Sequence, residues 1–290
     1  MGMPPSNPLS SPKLKVAGGE SLIWGRRTYV MGIINVSPDS FAGDGLASDL
    51  PAVVEQALRF QAEGADLLDI GAQSTRPGHT PISVEEEQAR LLPALEAIAP
   101  EVALPIGVDT YRAPVASRAV EAGASLINDI WGLKADPKIA EVAAHYGVPL
   151  ILMHNQEGTD YQELLPDIFA SLRESILLAT GTGVAPENII LDPGIGFGKT
   201  ADHNLEILRR LEEFRALGHP LLVGTSRKST IGRVLDLPVD QRVEGTAATV
   251  ALSIVGDADI VRVHDVKEMV RVCRMTDAIV RNWRPAGWRQ

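Results

Sequence analysis

Residues 29–70 read YVMGIINVSPDSFAGDGLASDLPAVVEQALRFQAEGADLLDI. The opening seven residues are a short apolar run of the kind found in a strand buried on both faces. A loop rich in Gly, Ser and Asp follows. Residues 51–63 then place Val53, Val54, Ala57, Leu58 and Gln61 near one face of a helix, and 66–70 is a second apolar run. A doubly buried strand, a helix and another such strand form the repeating unit of a parallel sheet covered by helices. The texture recurs down the chain. Apolar runs lie at 105–109, 125–129, 149–153, 189–192, 220–224 and 259–263, and helical spacing lies at 84–98 (Val84, Leu91, Leu92, Leu95, Ile98), 166–180 and 266–283. Eight strand–helix units without a break in composition favour an α/β fold closed as a single (β/α)8 TIM barrel over an open doubly wound sheet.

Composition narrows the function classes. The 290 residues are 45% hydrophobic and 22% charged, which excludes a disordered, collagenous or coiled-coil chain. Aromatics are only 4%, too few for a stacking platform, and a net charge of −10 lacks the footprint of a nucleic-acid or anionic-membrane binder. No run approaches the roughly 18 apolar residues of a membrane span. The single cysteine, Cys273, falls in a helical pattern with Val266, Met269 and Val270. It reads as a buried apolar thiol in a cytoplasmic protein rather than a nucleophile. Met1-Gly2 with Ser6 has the outline of a myristoylation signal, but Pro4 and Pro5 interrupt it. Residues 1–18, with Pro4, Pro5, Pro8 and Pro12, read as a disordered tail, leaving 19–290 as the barrel domain.

What ends each apolar run carries the functional signal. The first ends in Asn35, and the second contains Asp69 and leads to Thr75 and Arg76. The third ends in Asp109, the fourth in Asn128-Asp129, the fifth in Met153-His154 and the sixth in Asp192. The seventh leads to Ser226-Arg227-Lys228, and the eighth carries Arg262 and reaches His264-Asp265. In a barrel all these positions share the carboxyl-end rim, where barrel active sites form. Buried carboxylates and amides need partners, which a flat heterocycle with ring NH, amino and carbonyl groups supplies. Arg76, Arg227, Lys228, Arg262 and His264 add cations suited to an anionic tail such as a phosphate.

Two tempting motifs fail. Gly198-Lys199-Thr200 resembles the end of a phosphate loop, but the required first glycine is Pro193. The run 192–198 does not fit a dinucleotide fingerprint either. The six histidines have no zinc-ligand spacing and there is no cysteine cluster. A Mg2+ held by one protein oxygen and the phosphates of a substrate would leave a trace this faint.

At these residues the chain resembles the dihydropteroate synthase family. Segments 31–41 (MGIINVSPDSF), 69–78 (DIGAQSTRPG), 108–110, 128–130, 192–199 (DPGIGFGK), 224–229 (GTSRKS) and 262–266 (RVHDV) follow the family's motifs in order, and the likeness spans about residues 29–282. The resemblance implies a pterin ring held by Asp109, Asn128, Asp192 and Lys228. It implies a diphosphate surrounded by Thr75, Arg76, Arg262 and His264, and Mg2+ ligated by Asn35. It also implies a 4-aminobenzoate site formed by Ser226 with Phe41, Arg76 and Pro77, with Asp109, Asp192, Lys228 and Arg262 as the catalytic set. The family's reaction joins (7,8-dihydropterin-6-yl)methyl diphosphate to 4-aminobenzoate, and its members are usually homodimers. The chain departs from the family at Gln73 (often Glu), Ser37 (often Thr), Arg112 (commonly Lys) and 155–158. Two other readings compete. A pterin-dependent methyltransferase would have no diphosphate for Arg262 and His264 to bind. A non-catalytic pterin-binding paralogue would not need the complete rim set.

Overall fold

The computed structural model describes residues 13–15, 21–36, 49–73 and 82–288. Strands β1 (Lys13–Lys15) and β2 (Ser21–Ile23) form an antiparallel pair. The eight that follow are β3 (Tyr29–Asn35), β4 (Leu67–Gly71), β5 (Ile106–Asp109), β6 (Leu126–Asp129), β7 (Leu150–Met153), β8 (Ile189–Asp192), β9 (Leu222–Val223) and β10 (Ile260–Val263). They are parallel in sequence order, and β10 pairs back onto β3. The ring closes between β8 and β9 through one bridge, Leu191 to Leu221, and a 2.9 Å bond from the Leu191 N–H to the Pro220 carbonyl. The TIM barrel read from the sequence is therefore the fold. The seventh expected strand shortens to Leu222–Val223, because beyond it Gly224 leads straight into the rim segment 225–228.

The helices are α1 (Leu50–Glu63), α2 (Val84–Ile98), α3 (Ala113–Glu121), α4 (Ile139–Tyr146), α5 (Leu164–Thr182), α6 (Ala201–Arg209), α7 (Ser229–Leu235), α8 (Val243–Val255) and α9 (Val266–Val280). Their ends are written locally. Asp49 accepts from the Ala52 N–H at the start of α1, Pro51 occupies its first turn, and Gly64 closes it at φ 97°. Ser83 caps α2, whose first turn carries Glu85, Glu86 and Glu87. The seventh unit holds two helices, α7 and α8, rather than one. The buried face of α1 also differs from the one expected. Val53, Ala57 and Phe60 are buried, while Leu58 faces outward. Phe60 gains its place from Gly32 on the outer face of β3, where an added Cβ would sit 2.6 Å from the ring.

The core has two parts. Outward-facing strand residues such as Val30, Ile34, Leu68, Ile70 and Val108 pack against the helices. Inside the barrel, Tyr29, Met31, Leu67, Leu126, Ile151, Ile190, Leu222 and Ile260 pack with Leu22 and Trp24. Those last two come from β2 and the turn after it, which thus contribute to the barrel interior. The β1 strand falls within residues 1–18, the stretch read as a tail; its pairing with β2 is a contact between chain segments that local composition does not encode. Among the described residues, no helix is long and apolar enough to cross a membrane.

Candidate active site

Alternation along the barrel strands decides which side chains enter the mouth. Leu67, Leu126, Ile190 and Ile260 face the barrel interior. The residues two further along share that side: Asp69, Asn128, Asp192 and Arg262. Asp109 lies in register beside Asn128. An apolar interior layer is thus capped by a polar one. Asp129, one step past Asn128, has the opposite parity. Its carboxylate accepts the Trp131 and Leu133 N–H groups at 2.9 and 2.6 Å, so it shapes the rim loop rather than the mouth.

Arg262 organises this layer. Its Nε donates to Asp69 Oδ2 at 2.6 Å and its Nη2 to Asp109 Oδ2 at 2.8 Å. Asn128 Nδ2 donates to the same Asp69 oxygen at 3.0 Å. Asp69 fits because residue 107 is glycine: an added Cβ there would lie 2.9 Å from Asp69 Oδ1 and from Leu126 Cδ2. Asp109 Oδ1 is buried and has no hydrogen-bond donor among the described residues. Burial first, then the charges of Asp69 and Glu87, push the Asp109 carboxyl up to about 7, against the opposing pull of Arg262 and Lys228. Asp192 is raised to about 6, again by burial, although it accepts the Gly194 N–H at 2.7 Å.

On the far side of the mouth, the Lys228 ammonium sits 4.1 Å from the centre of the Phe197 ring. His264 donates its backbone N–H to Ser226 Oγ at 3.1 Å, and its Nδ1 lies 3.0 Å from the same hydroxyl. Burial, then Arg262 and Arg227, hold the His264 imidazole down to about 3, so it is neutral at physiological pH. Arg227 forms a forked ion pair with Asp265, at 3.0 and 2.6 Å. A polar cavity of about 210 Å³ adjoins these residues, lined in part by Arg59, Arg227, His264 and Asp265.

Comparison with known proteins places this mouth in a family. A family model described as pterin binding enzyme matches residues 31–264. Dihydropteroate synthase of Bacillus subtilis is 52% identical over 260 residues, 90% of this chain and 91% of that protein. The Clostridium beijerinckii enzyme of the same name is 51% identical over 265 residues, 91% and 98% of the two chains. The chain belongs to the dihydropteroate synthase family. Two solved dihydropteroate synthases share the fold. One is from Clostridium difficile, with pteroic acid (TM-score 0.85, 46% identity, covering 89% of this chain and 98% of that one). The other is from Xanthomonas albilineans, with 4-aminobenzoic acid (TM-score 0.87, 39% identity, 93% and 98%).

Of the residues that the dihydropteroate synthase resemblance singles out, the structure gathers Asp109, Asn128, Asp192, Lys228, Ser226, Arg262 and His264 around one barrel mouth. Asn35 ends β3 in register with Gly71 at the same rim. Phe41, Thr75, Arg76 and Pro77 lie outside the described residues, as do the greater parts of the first two rim loops. Three site neighbours carried no role in the sequence reading. Asp69 is the shared acceptor for Arg262 and Asn128; its position two residues after Leu67 on an interior-facing strand is the signal that finds it. Lys199, in the loop after β8, and His154, at the end of β7, meet at 2.8 Å between Nζ and Nδ1, a contact that no local pattern encodes.

A metal fits this dihydropteroate synthase site only with help from substrate. Among the described residues, no three His, Cys, Asp or Glu side chains are grouped to hold an ion. Asp69 and Asp109 each commit an oxygen to Arg262. Asn35 offers a neutral amide oxygen, which suits a hard cation whose remaining ligands are phosphate oxygens and water.

Proposed function

We propose that this chain condenses (7,8-dihydropterin-6-yl)methyl diphosphate with 4-aminobenzoate, giving 7,8-dihydropteroate and diphosphate for folate biosynthesis. The observation that carries the site assignment is the buried Asp109 Oδ1, which has no donor among the described residues, within a layer that also holds Asn128, Asp192 and Arg262. An acceptor left unpaired costs about 1–3 kcal/mol, which a ligand N–H removes. The pterin edge supplies such donors to Asp109 and Asp192, with Asn128 and Lys228 on its amide and carbonyl groups. The bond between the pterin methylene and the diphosphate oxygen breaks first or early, its electron pair leaving with the diphosphate. The arylamine nitrogen then bonds to that cation-like carbon and gives up a proton to water. Positive charge developing on the pterin is stabilised by the Asp109 and Asp192 carboxylates. The departing diphosphate gathers negative charge, which Arg262, Thr75, Arg76 and the His264 imidazole receive. Ser226, Phe41, Arg76 and Pro77 orient 4-aminobenzoate; the amine needs positioning more than activation. Mg2+, held by Asn35 and the diphosphate, supplies further charge neutralisation on the leaving group when bound. The test is incubation with the pterin diphosphate, 4-aminobenzoate and Mg2+. Dihydropteroate identified by mass is the expected result, and no product, or a methylated product instead, overturns the reading.

The raised carboxyls give a pH signature. Asp109 and Asp192 titrate at about 7 and about 6 before ligand arrives. Pterin N–H donors pair with the ionised forms, so affinity should rise with pH through this interval and level off above it. Below it, binding should expel protons. Calorimetry at pH 6 in two buffers of different ionisation enthalpy measures that release, and buffer-independent heats would contradict it.

The metal should follow the substrate. A lone amide is a weak ligand, so Mg2+ should bind tightly only with diphosphate or the pterin diphosphate present, and reciprocity requires the metal to tighten diphosphate by the same factor. Asn35→Ala should weaken that coupling. Tight Mg2+ binding to the ligand-free protein, unaffected by Asn35→Ala, would remove the assignment. We further infer a cytoplasmic homodimer that binds neither nucleic acid nor membrane. Exposed Val234, Leu235, Leu252, Val255, Met275 and Ile279 on the neighbouring helices α7, α8 and α9 support self-association, and a buried free Cys273 suits a reducing compartment. A single monomer mass by light scattering at micromolar concentration would argue against the dimer.

A further inference from the structure

The sequence Gly198-Lys199-Thr200 fails as a phosphate loop, yet it sends a lysine inward. Lys199 Nζ lies 2.8 Å from His154 Nδ1 and 2.9 Å from the Phe197 carbonyl oxygen, with the His154 carbonyl at 3.4 Å. Burial holds His154 down to about 3, so its ring is neutral and Nδ1 can accept. Burial lowers the Lys199 amine to about 7 against the pull of Asp192, so near neutral pH it is a mixture of ammonium and amine. In either form its N–H groups tie the loop after β8 to the end of β7.

The loop it ties supports two of the proposed pterin groups. Gly194, at φ 72°, passes so close to β7 that an added Cβ would stand 1.9 Å from the His154 carbonyl oxygen. From that position its N–H reaches Asp192 Oδ1 at 2.7 Å. Gly196, at φ 82°, lies under the Lys228 stem, where an added Cβ would be 3.0 Å from Cδ. Phe197, whose carbonyl Lys199 holds, places its ring 4.1 Å from the Lys228 ammonium. The outer side of the loop has a separate tether, since Tyr161 OH donates to the Gly198 carbonyl at 2.8 Å. The Gly196 N–H donates separately to Asn204 Oδ1 at 2.8 Å, so removing Lys199 would release the Phe197–Lys199 end of the loop and leave Gly196 and Gly198 tethered.

We propose that Lys199 is a positioning residue for pterin recognition: it clasps the 193–199 loop onto β7, and the loop in turn orients the Asp192 carboxylate and the Lys228 ammonium. The proposal rests on the assignment of Asp192 and Lys228 to the pterin ring made above. A methionine at this position would fill similar space without a donor. A role confined to packing would therefore lower thermal stability without singling out one ligand.

The experiment titrates Lys199→Met with 6-hydroxymethyl-7,8-dihydropterin, and separately with diphosphate plus Mg2+, by calorimetry. The pterin Kd should weaken by about tenfold or more, as for loss of a buried hydrogen bond, while the diphosphate Kd stays within about twofold. In a Lys228→Ala background the added effect should shrink, because both changes act on the same group. An unchanged pterin Kd in folded Lys199→Met, equal weakening of both ligands, or full multiplicativity with Lys228→Ala overturns the proposal. If Lys199→Met does not fold, Lys199→Gln replaces it, since its shorter amide cannot span both partners. The same selective loss is then required. Wild-type protein that fails to bind the pterin, or Asp192→Ala that binds it normally, overturns the pterin site itself. Pterin binding lost in Asp192→Ala but kept in Lys199→Met overturns only the clasp.

Discussion

Arg262→Ala is expected to cost about 3–5 kcal/mol of folding stability at pH 8, measured by urea denaturation, because it strips the cation from a buried ion-pair cluster. Arg262 bonds both Asp69 and Asp109, and those carboxylates are buried. The loss should depend on pH in a set direction. The Asp109 carboxyl titrates at about 7 in the folded protein, above its unfolded value of about 3.9. The stability this proton contributes is full below the unfolded value and lost as pH rises through the folded one. Arg262 opposes the rise, so its removal lifts the folded value further and enlarges the deficit at pH 8. At pH 5 the carboxyl is protonated, and the deficit should shrink. Adding Asp109→Asn should recover part of it at pH 8. A loss under about 1 kcal/mol, equal at both pH values, would mean that Arg262 is not the counter-ion of this cluster.

For Asp192→Ala the expected result is a loss of about 2–5 kcal/mol in transition-state binding, or roughly thirtyfold to several thousandfold in kcat/KM for the pterin substrate. The side chain faces the barrel mouth, is buried, and already uses one oxygen to accept the Gly194 N–H. Removing it leaves that N–H and the pterin edge both unpaired. Asp192→Asn separates charge from shape: it keeps one acceptor oxygen but loses the carboxylate that balances positive charge on the pterin, so kcat should fall more than pterin affinity. Near-normal kcat/KM in Asp192→Ala would show that the pterin lies elsewhere.

The two positions differ in how far they can be read before folding. Asp192 ends an apolar run, and a polar residue at the carboxyl end of a barrel strand is visible from strand periodicity alone. So are Asp109, Asn128 and Arg262. Their membership of one rim follows from the eight-unit alternation, which is local information repeated. The resemblance of seven ordered motifs to one family then gave each position a candidate partner. Two helix limits were nearly legible from apolar spacing: 84–98 coincides with α2, and 51–63 starts one residue inside α1, while the caps Ser83 and Gly64 emerged only in the structure.

What the sequence by itself determined is the set of elements, their order, and which residues come to the rim, because period and turn chemistry act over a few residues. Only the tertiary structure decided how those residues pair. Arg262 joins Asp69 across 193 positions and Asp109 across 153. Lys199 reaches His154 across 45, and Leu22 and Trp24 pack inside the barrel. Phe60 displaces Leu58 from the buried face of α1 because Gly32 leaves it room. Some of these contacts need only neighbouring elements to pack. The Arg262 pairs and the interior layer depend on the strands curling into a barrel, which brings distant strand ends within hydrogen-bond reach and excludes the water that would otherwise separate them. The raised carboxyls of Asp109 and Asp192 have the same origin, since burial exists only once the ring is complete.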